Sequence, residues 1–256
     1  MKKLLYSAAA LATLLFAASC QQENLEPART GVTYTITLAD EVQTKGKDGH
    51  DAYDLYYEVY RNTNAGLVEL YDDVKEMTGP KTTVTLDLLN DQDYTVLFWA
   101  NKKGSTYFEV SNLQNVTIKT ASSNNEDRDA FCGKDELTAH DNGSMKSVTL
   151  TRPFAQLNIA TLVPTHYDVT PVSSLVTVTG APKSFSVLTG EGVENSEGEV
   201  TYTVNTVPTG DIVVAPNTYK KAAMNYVFAP EGNITVYYEI TTANGTVKNT
   251  INNVPV

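Results

Sequence analysis

The strongest constraint on this chain is a period of two in its hydrophobicity. Val32, Tyr34, Ile36 and Leu38 alternate with Thr33, Thr35 and Thr37. Successive side chains of a strand point to opposite faces, so this stretch presents one apolar and one polar face. Tyr53, Leu55, Tyr57 and Val59 alternate with Asp54, Tyr56, Glu58 and Tyr60, and Val84, Leu86 and Leu88 alternate with Thr83, Thr85 and Asp87. Residues 94–100 are apolar on both faces, which predicts a central strand covered on two sides. Further strands are predicted over 115–119, 147–151 and 155–160. In the second half they fall at 175–179, 184–188, 200–205, 211–215, 222–229, 234–242 and 246–251.

Turn material separates these runs: Asn64-Ala65-Gly66, Thr78-Gly79-Pro80, Asp141-Asn142-Gly143, Pro230-Glu231-Gly232-Asn233 and Asn244-Gly245. Many short strands at this spacing predict an all-β chain built as a sandwich or barrel. No amphipathic segment is long enough for a confident helix; residues 72–77 and 170–175 each have room for a turn or two. The length of 256 residues accommodates two small sandwiches. Pro164 and Pro171 follow a strong strand and place a boundary there, giving modules over 31–163 and 164–256.

The first residues are an address rather than structure. Met1-Lys2-Lys3 is a short positive region, and an apolar run of signal-peptide length follows, ending in Phe16-Ala17-Ala18-Ser19-Cys20. Small residues directly before a cysteine resemble the bacterial lipobox. A signal peptide over 1–19, cleavage before Cys20 and lipid on its thiol are therefore expected. The alternative is an ordinary secretory signal that happens to end near a cysteine. Buried lipid methylenes supply membrane affinity without a basic patch. Residues 20–30 are polar and acidic, and read as a flexible tether or propeptide. The acids near Cys20 resemble the surface-export signal of Bacteroidetes lipoproteins.

Chemistry is sparse. The formal charge is -11, from 19 basic and 30 acidic residues, which repels phosphate backbones and argues against nucleic acid. There is no His-Glu-x-x-His, Gly-x-Ser-x-Gly or Cys-x-x-Cys, so no enzyme, catalytic residue or cofactor is expected. His50, His140 and His166 read as solvated loop residues. Gly190-Glu191-Gly192 lacks a third glycine and carries carboxylate where an anion would sit, so it is no phosphate loop. Acidic groups around Asp48, Asp51 and Asp54, at Asp91 and Asp93, and at Glu126, Asp127 and Asp129 lack the spacing of a calcium loop, and no metal is expected. Cys132 reads as a small packing residue. Tyr56 and Tyr60, on the more polar face of their strand, are the candidates for stacking on a glycan; Trp99 reads as core. Arg29 stands where the tether meets the first strand. Exposed tethers are preferred sites of nicking, so Arg29 and Thr30 flank a candidate protease cut.

Two stretches carry a resemblance. Asp127-Arg128-Asp129-Ala130-Phe131-Cys132-Gly133, followed by Val148-Thr149-Leu150-Thr151-Arg152-Pro153-Phe154-Ala155-Gln156-Leu157-Asn158-Ile159, resembles the fimbrillin-like (type V pilus subunit) lipoproteins of Bacteroidetes. Cys20 and Arg29 fit the same family. The resemblance implies two transthyretin-like Greek-key β-sandwich modules. It implies a fimbrial subunit or surface lipoprotein supporting adhesion, held in the outer membrane through Cys20 and exposed at the cell surface. It also implies cleavage after Arg29, displacement of the strand carrying Val32, Tyr34, Ile36 and Leu38, and filling of the groove by a strand of another fimbrial subunit. A host or bacterial surface receptor is a further implied partner. The family expectation is a further segment beyond Asn252-Asn253-Val254-Pro255-Val256; here residues 246–251 are the candidate donated strand, or a donor is missing. The alternative function is a glycan-binding outer-membrane lipoprotein.

Overall fold

The computed structural model describes residues 27–39, 52–119, 128–140, 143–162, 170–204, 207–228 and 232–255. The leader, Cys20 and most of the tether lie outside the described residues, as do Asp48, His50, Asp51, Glu126, Asp127, Asp141, Asn142 and His166. The described residues hold 18 strands and no α-helix, and the chain adopts the all-β sandwich architecture its alternation predicts.

Strand β1 (Arg29–Leu38) arises from the Val-Thr-Tyr-Thr-Ile-Thr-Leu alternation. Its apolar side chains turn inward, and Val32, Tyr34 and Ile36 lose all solvent contact. Strands β2 (Tyr53–Thr63) and β3 (Gly66–Met77) form a hairpin around Asn64-Ala65. Gly66 closes that turn at φ 112°, where a side chain would be strained. β4 (Lys81–Leu89), β5 (Asp93–Lys102), β8 (Ala130–Thr138) and β9 (Ser144–Leu150) complete two facing sheets. One has the order β4-β1-β9 and the other β3-β2-β5-β8. Their shared core is filled by Val32, Tyr34, Ile36, Leu55, Val96, Phe98 and Leu150 among others.

The other half repeats the plan with different strands. β10 (Phe154–Leu162), β16 (Asn217–Phe228) and β15 (Asp211–Val214) form one sheet. β14 (Glu197–Val204), β11 (Pro171–Pro182), β17 (Ile234–Thr242) and β18 (Gly245–Val254) form the other. Val176, Val178, Ala223, Val227, Val236 and Ile240 fill the space between them. A boundary at 163/164 would leave β10 with the first module. Its ladder partner is β16 of the second half, from Phe154↔Phe228 to Leu162↔Tyr219.

A small sheet ties the halves together. β6 (Phe108–Glu109) and β7 (Val116–Ile118) come from the first half, β12 (Ser184–Ser186) and β13 (Glu191–Gly192) from the second, and β7 pairs with β12. Beneath it lies a third core containing Tyr60, Leu97, Trp99, Phe108, Leu113, Cys132, Phe185 and Phe228. β5 therefore has one face in the first core and one in the third, which is the two-sided burial its apolar run predicts.

Two expectations are corrected. Residues 72–77 are not a helical turn but the end of β3, paired with β2 from Tyr53↔Met77 to Thr63↔Gly66. Tyr57 donates to Asp73 at 2.7 Å, so cross-strand contacts override the local helix-forming composition. In the stretch 170–175, residues 171–175 open β11 and pair with β17 instead. β8 was not among the predicted strands. It runs beside β5 and meets Thr151, just past the end of β9, at an isolated bridge with Cys132. Gly133 permits that close approach, because a Cβ there would lie 2.9 Å from Leu150 Cδ2.

Candidate strand-exchange site at the first strand

β1 lies between two strands rather than at an edge. It runs antiparallel to β4, with Val32↔Leu86 and Tyr34↔Val84. It runs parallel to β9, with Ile36↔Val148 and Leu38↔Leu150. Every second side chain enters the first core: Val32, Tyr34 and Ile36 are fully buried and Leu38 nearly so. The Tyr34 ring packs 5.3 Å from Phe98, and its hydroxyl donates to Asp135 at 3.0 Å. Burial and the adjacent Asp135 carboxylate push that phenol well above its ordinary range. On the other face Thr33 and Thr85 share a hydroxyl–hydroxyl bond of 3.0 Å. Removing β1 would expose two strand edges and an apolar trough at once. That is the geometry of a slot for one extended segment, with backbone groups on both sides and alternating pockets below.

The candidate cut lies inside this ladder. Arg29 pairs with Leu89 and Thr30 with Leu88. Arg29 Nε donates to Asp87 Oδ2 at 2.6 Å and its Nη2 to the Asp87 carbonyl at 2.7 Å. The arginine side chain is half exposed, whereas Thr30 is buried. A protease reading an extended backbone therefore needs the first residues of β1 to fray. Local opening at a strand end is a low-energy event compared with global unfolding.

The described residues of the motif stretches meet in a structural hub. Arg152 clamps Asp129 through two parallel bonds of 2.7 Å and covers the Phe131 ring at 4.7 Å. Arg152 of the Arg-Pro-Phe segment and Asp129 of the other stretch are thus in direct contact. Phe154 stacks on Phe228 at 4.9 Å and on Phe108 at 5.4 Å, with Trp99 edge-on at 6.2 Å. Arg128, buried under the Tyr202 ring at 5.1 Å, has its pKa lowered by desolvation. Residues from both halves meet here, and sequence reasoning had no sign of it beyond the motifs themselves.

Tyr56 and Tyr60 do not share a polar, solvent-facing surface. Their face packs into the third core, where Tyr60 is 3% exposed and Tyr56 is partly buried. Tyr60 donates to Glu58 Oε2 at 2.5 Å, and the Leu113 backbone N–H donates to Oε1 at 2.7 Å. These two bonds allow a carboxylate inside an apolar cluster; burial still raises the Glu58 pKa above the usual carboxylate range. The Tyr60 ring is closed to a sugar, and the expectation of glycan stacking there is withdrawn.

His140 sits 3.7 Å from Asp91, both strongly exposed, so this is a solvated surface pair. Among the described residues no group of three or more His, Cys, Asp or Glu side chains is placed to hold a metal ion. Cys132 is buried, and desolvation pushes its thiol up to about 12. The thiolate is the reactive form, so alkylation of Cys132 is expected only after unfolding. Mass spectrometry after maleimide treatment, with and without denaturant, checks this.

Comparisons with known proteins agree with this architecture. A family model described as a family of unknown function (DUF6562) matches residues 21–256. No curated protein matches the sequence. Among solved structures, a candidate adhesin of Bacteroides thetaiotaomicron superposes with a TM-score of 0.58 at 16% identity, covering 88% of this chain and 80% of that one. A candidate adhesin of Bacteroides ovatus gives 0.55 at 16% identity, covering 91% and 80%. The fimbrial anchor protein Mfa2 from Porphyromonas gingivalis gives 0.53 at 12% identity, covering 88% and 82%. At these identities the likeness is one of fold, shared with two candidate adhesins and a fimbrial anchor protein.

Proposed function

We propose that this chain, which belongs to the DUF6562 family by its match over residues 21–256, is a non-enzymatic fimbrial subunit or fimbrillin-like surface lipoprotein that supports adhesion. The observation that carries this reading is the placement of β1 as a middle strand between β4 and β9, near the N-terminal end of the described body. The shared fold with a fimbrial anchor protein and two candidate adhesins supports it. So does the lipobox pattern ending in Cys20.

The proposal separates two steps. Lipid at Cys20 holds the precursor in the outer membrane. A cut between Arg29 and Thr30 frees the body from that anchor but leaves the strand in its sheet, because all of β1 except Arg29 lies after the cut. Assembly is the second step: β1 leaves the slot, and an extended segment of another subunit replaces it. Backbone bonds to β4 and β9 provide affinity, and the positions now held by Val32, Tyr34, Ile36 and Leu38 set its register. Two modules, divided where the chain passes from β9 to β10, fit the ladder of β10 with β16.

Proteolysis of the full chain tests the first step. Limited digestion with an arginine-specific protease is expected to give a product beginning at Thr30 that keeps its folded spectrum. Arg29→Ala is expected to abolish that product. First cuts elsewhere, with Arg29 intact, would contradict Arg29 as the maturation site.

A further inference from the structure

We infer that the free edge of β18 is an interface between two copies of this chain, joined antiparallel about Asn249. Among the described residues β18 pairs only with β17, and Gly245 through Asn253 are all exposed. Its ladder places Val247 opposite Ile240 and Ile251 opposite Val236. Ile240 and Val236 are core residues, so Val247 and Ile251 share the core-facing side of that sheet. Yet Val247 is 59% exposed and Ile251 45%. The cause is a mismatch in width: the four-stranded sheet that ends in β18 is covered by a sheet of only three strands.

Free edges are normally guarded by charge. β3, another long strand at a sheet edge, carries Glu69, Asp72, Asp73 and Glu76 beside Lys75. β18 carries one charge in its ten residues, Lys248, and Glu239 of its own chain neutralises it at 2.9 Å. In a chain of net charge -11, two copies meet with least repulsion at such an edge.

The sequence of β18 is complementary to itself. In an antiparallel register centred on Asn249, Val247 of one copy lies against Ile251 of the other, and Ile251 against Val247. Lys248 meets Thr250, so no like charges face each other. A contact of this kind obeys a two-fold axis and closes at a dimer. It joins two four-stranded sheets into one and covers the exposed Val247 and Ile251. This contact does not require β1 to move, so its failure would leave strand exchange at β1 standing.

The register predicts its own test. At the axis Asn249 faces Asn249, so Asn249→Lys sets two cations directly opposite, and Asn249→Glu two carboxylates. The full chain, each variant alone and an equal mixture of the two are followed by sedimentation over a concentration series. The unchanged chain is expected to form a reversible dimer. Each variant is expected to dimerise about 10-fold more weakly or worse, and the mixture to recover the dimer. At dilutions where the parent is monomeric, both variants should keep its melting temperature, since the site is exposed. A strictly monomeric parent, a variant that dimerises like the parent, or oligomers beyond two that ignore the substitutions would overturn the interface.

Discussion

Phe228→Ala is expected to destabilise the protein by about 3–5 kcal/mol, the range for deleting a buried aromatic ring. Phe228 is fully buried at the end of β16, stacked on Phe154 at 4.9 Å and on Phe185 at 5.4 Å. It also contacts Phe108 at 6.2 Å. These rings come from both halves of the chain, so the cavity opens in the core that joins them. Their cooperative unfolding should suffer with the total stability. Thermal denaturation followed in the near and far ultraviolet is expected to show a lower midpoint and a broadened or split transition for the variant. An unchanged single transition would mean that the third core does not couple the halves.

Ile36→Ala is expected to cost about 2–5 kcal/mol, by the same cavity argument. Its effect should be local. Ile36 lies in β1, between Thr82 of β4 and Val148 of β9, and contacts only the first core. Amide exchange is therefore expected to accelerate along β1 and the facing edges of β4 and β9, with β16 and β17 less affected. If β1 is the strand that leaves, the variant should also take up a replacement strand faster. A variant that exchanges uniformly faster along the whole chain would tie β1 to global unfolding rather than to local release.

Much of this fold is legible in the sequence where one physical signal dominates. The alternation in β1 predicts its strand and its buried face together, and the unbroken apolar run of β5 predicts a strand covered on both sides. Residues 234–242 match β17 at both ends. β3 escapes the reading because Asp72-Asp73-Val74-Lys75-Glu76-Met77 looks locally helical, and only its pairing with β2 makes it a strand. In β8, Gly133 and the charges at Lys134, Asp135 and Glu136 hide a strand set by its neighbour β5. The face bearing Tyr56, Glu58 and Tyr60 reads as polar because Glu58 reads as solvated. Its partner is the backbone N–H of Leu113, which no local pattern predicts. The site fared similarly. Val32, Tyr34, Ile36 and Leu38 were identifiable as one apolar row, but their position in the middle of a sheet depends on β9, more than a hundred residues later.

Locking β1 in place tests the central claim most directly. Thr33 and Thr85 are ladder partners whose hydroxyls lie 3.0 Å apart, on the face away from the first core. Directly opposed strand residues have Cα separations within reach of a disulfide. The full chain carrying Thr33→Cys and Thr85→Cys would be produced in its own cells, and its surface material sized by electrophoresis. The oxidised double variant is expected to be absent from high-mass assemblies. Growth under reducing conditions, or either single substitution, is expected to restore them. A locked chain that enters assemblies as readily as the parent would contradict assembly through displacement of β1.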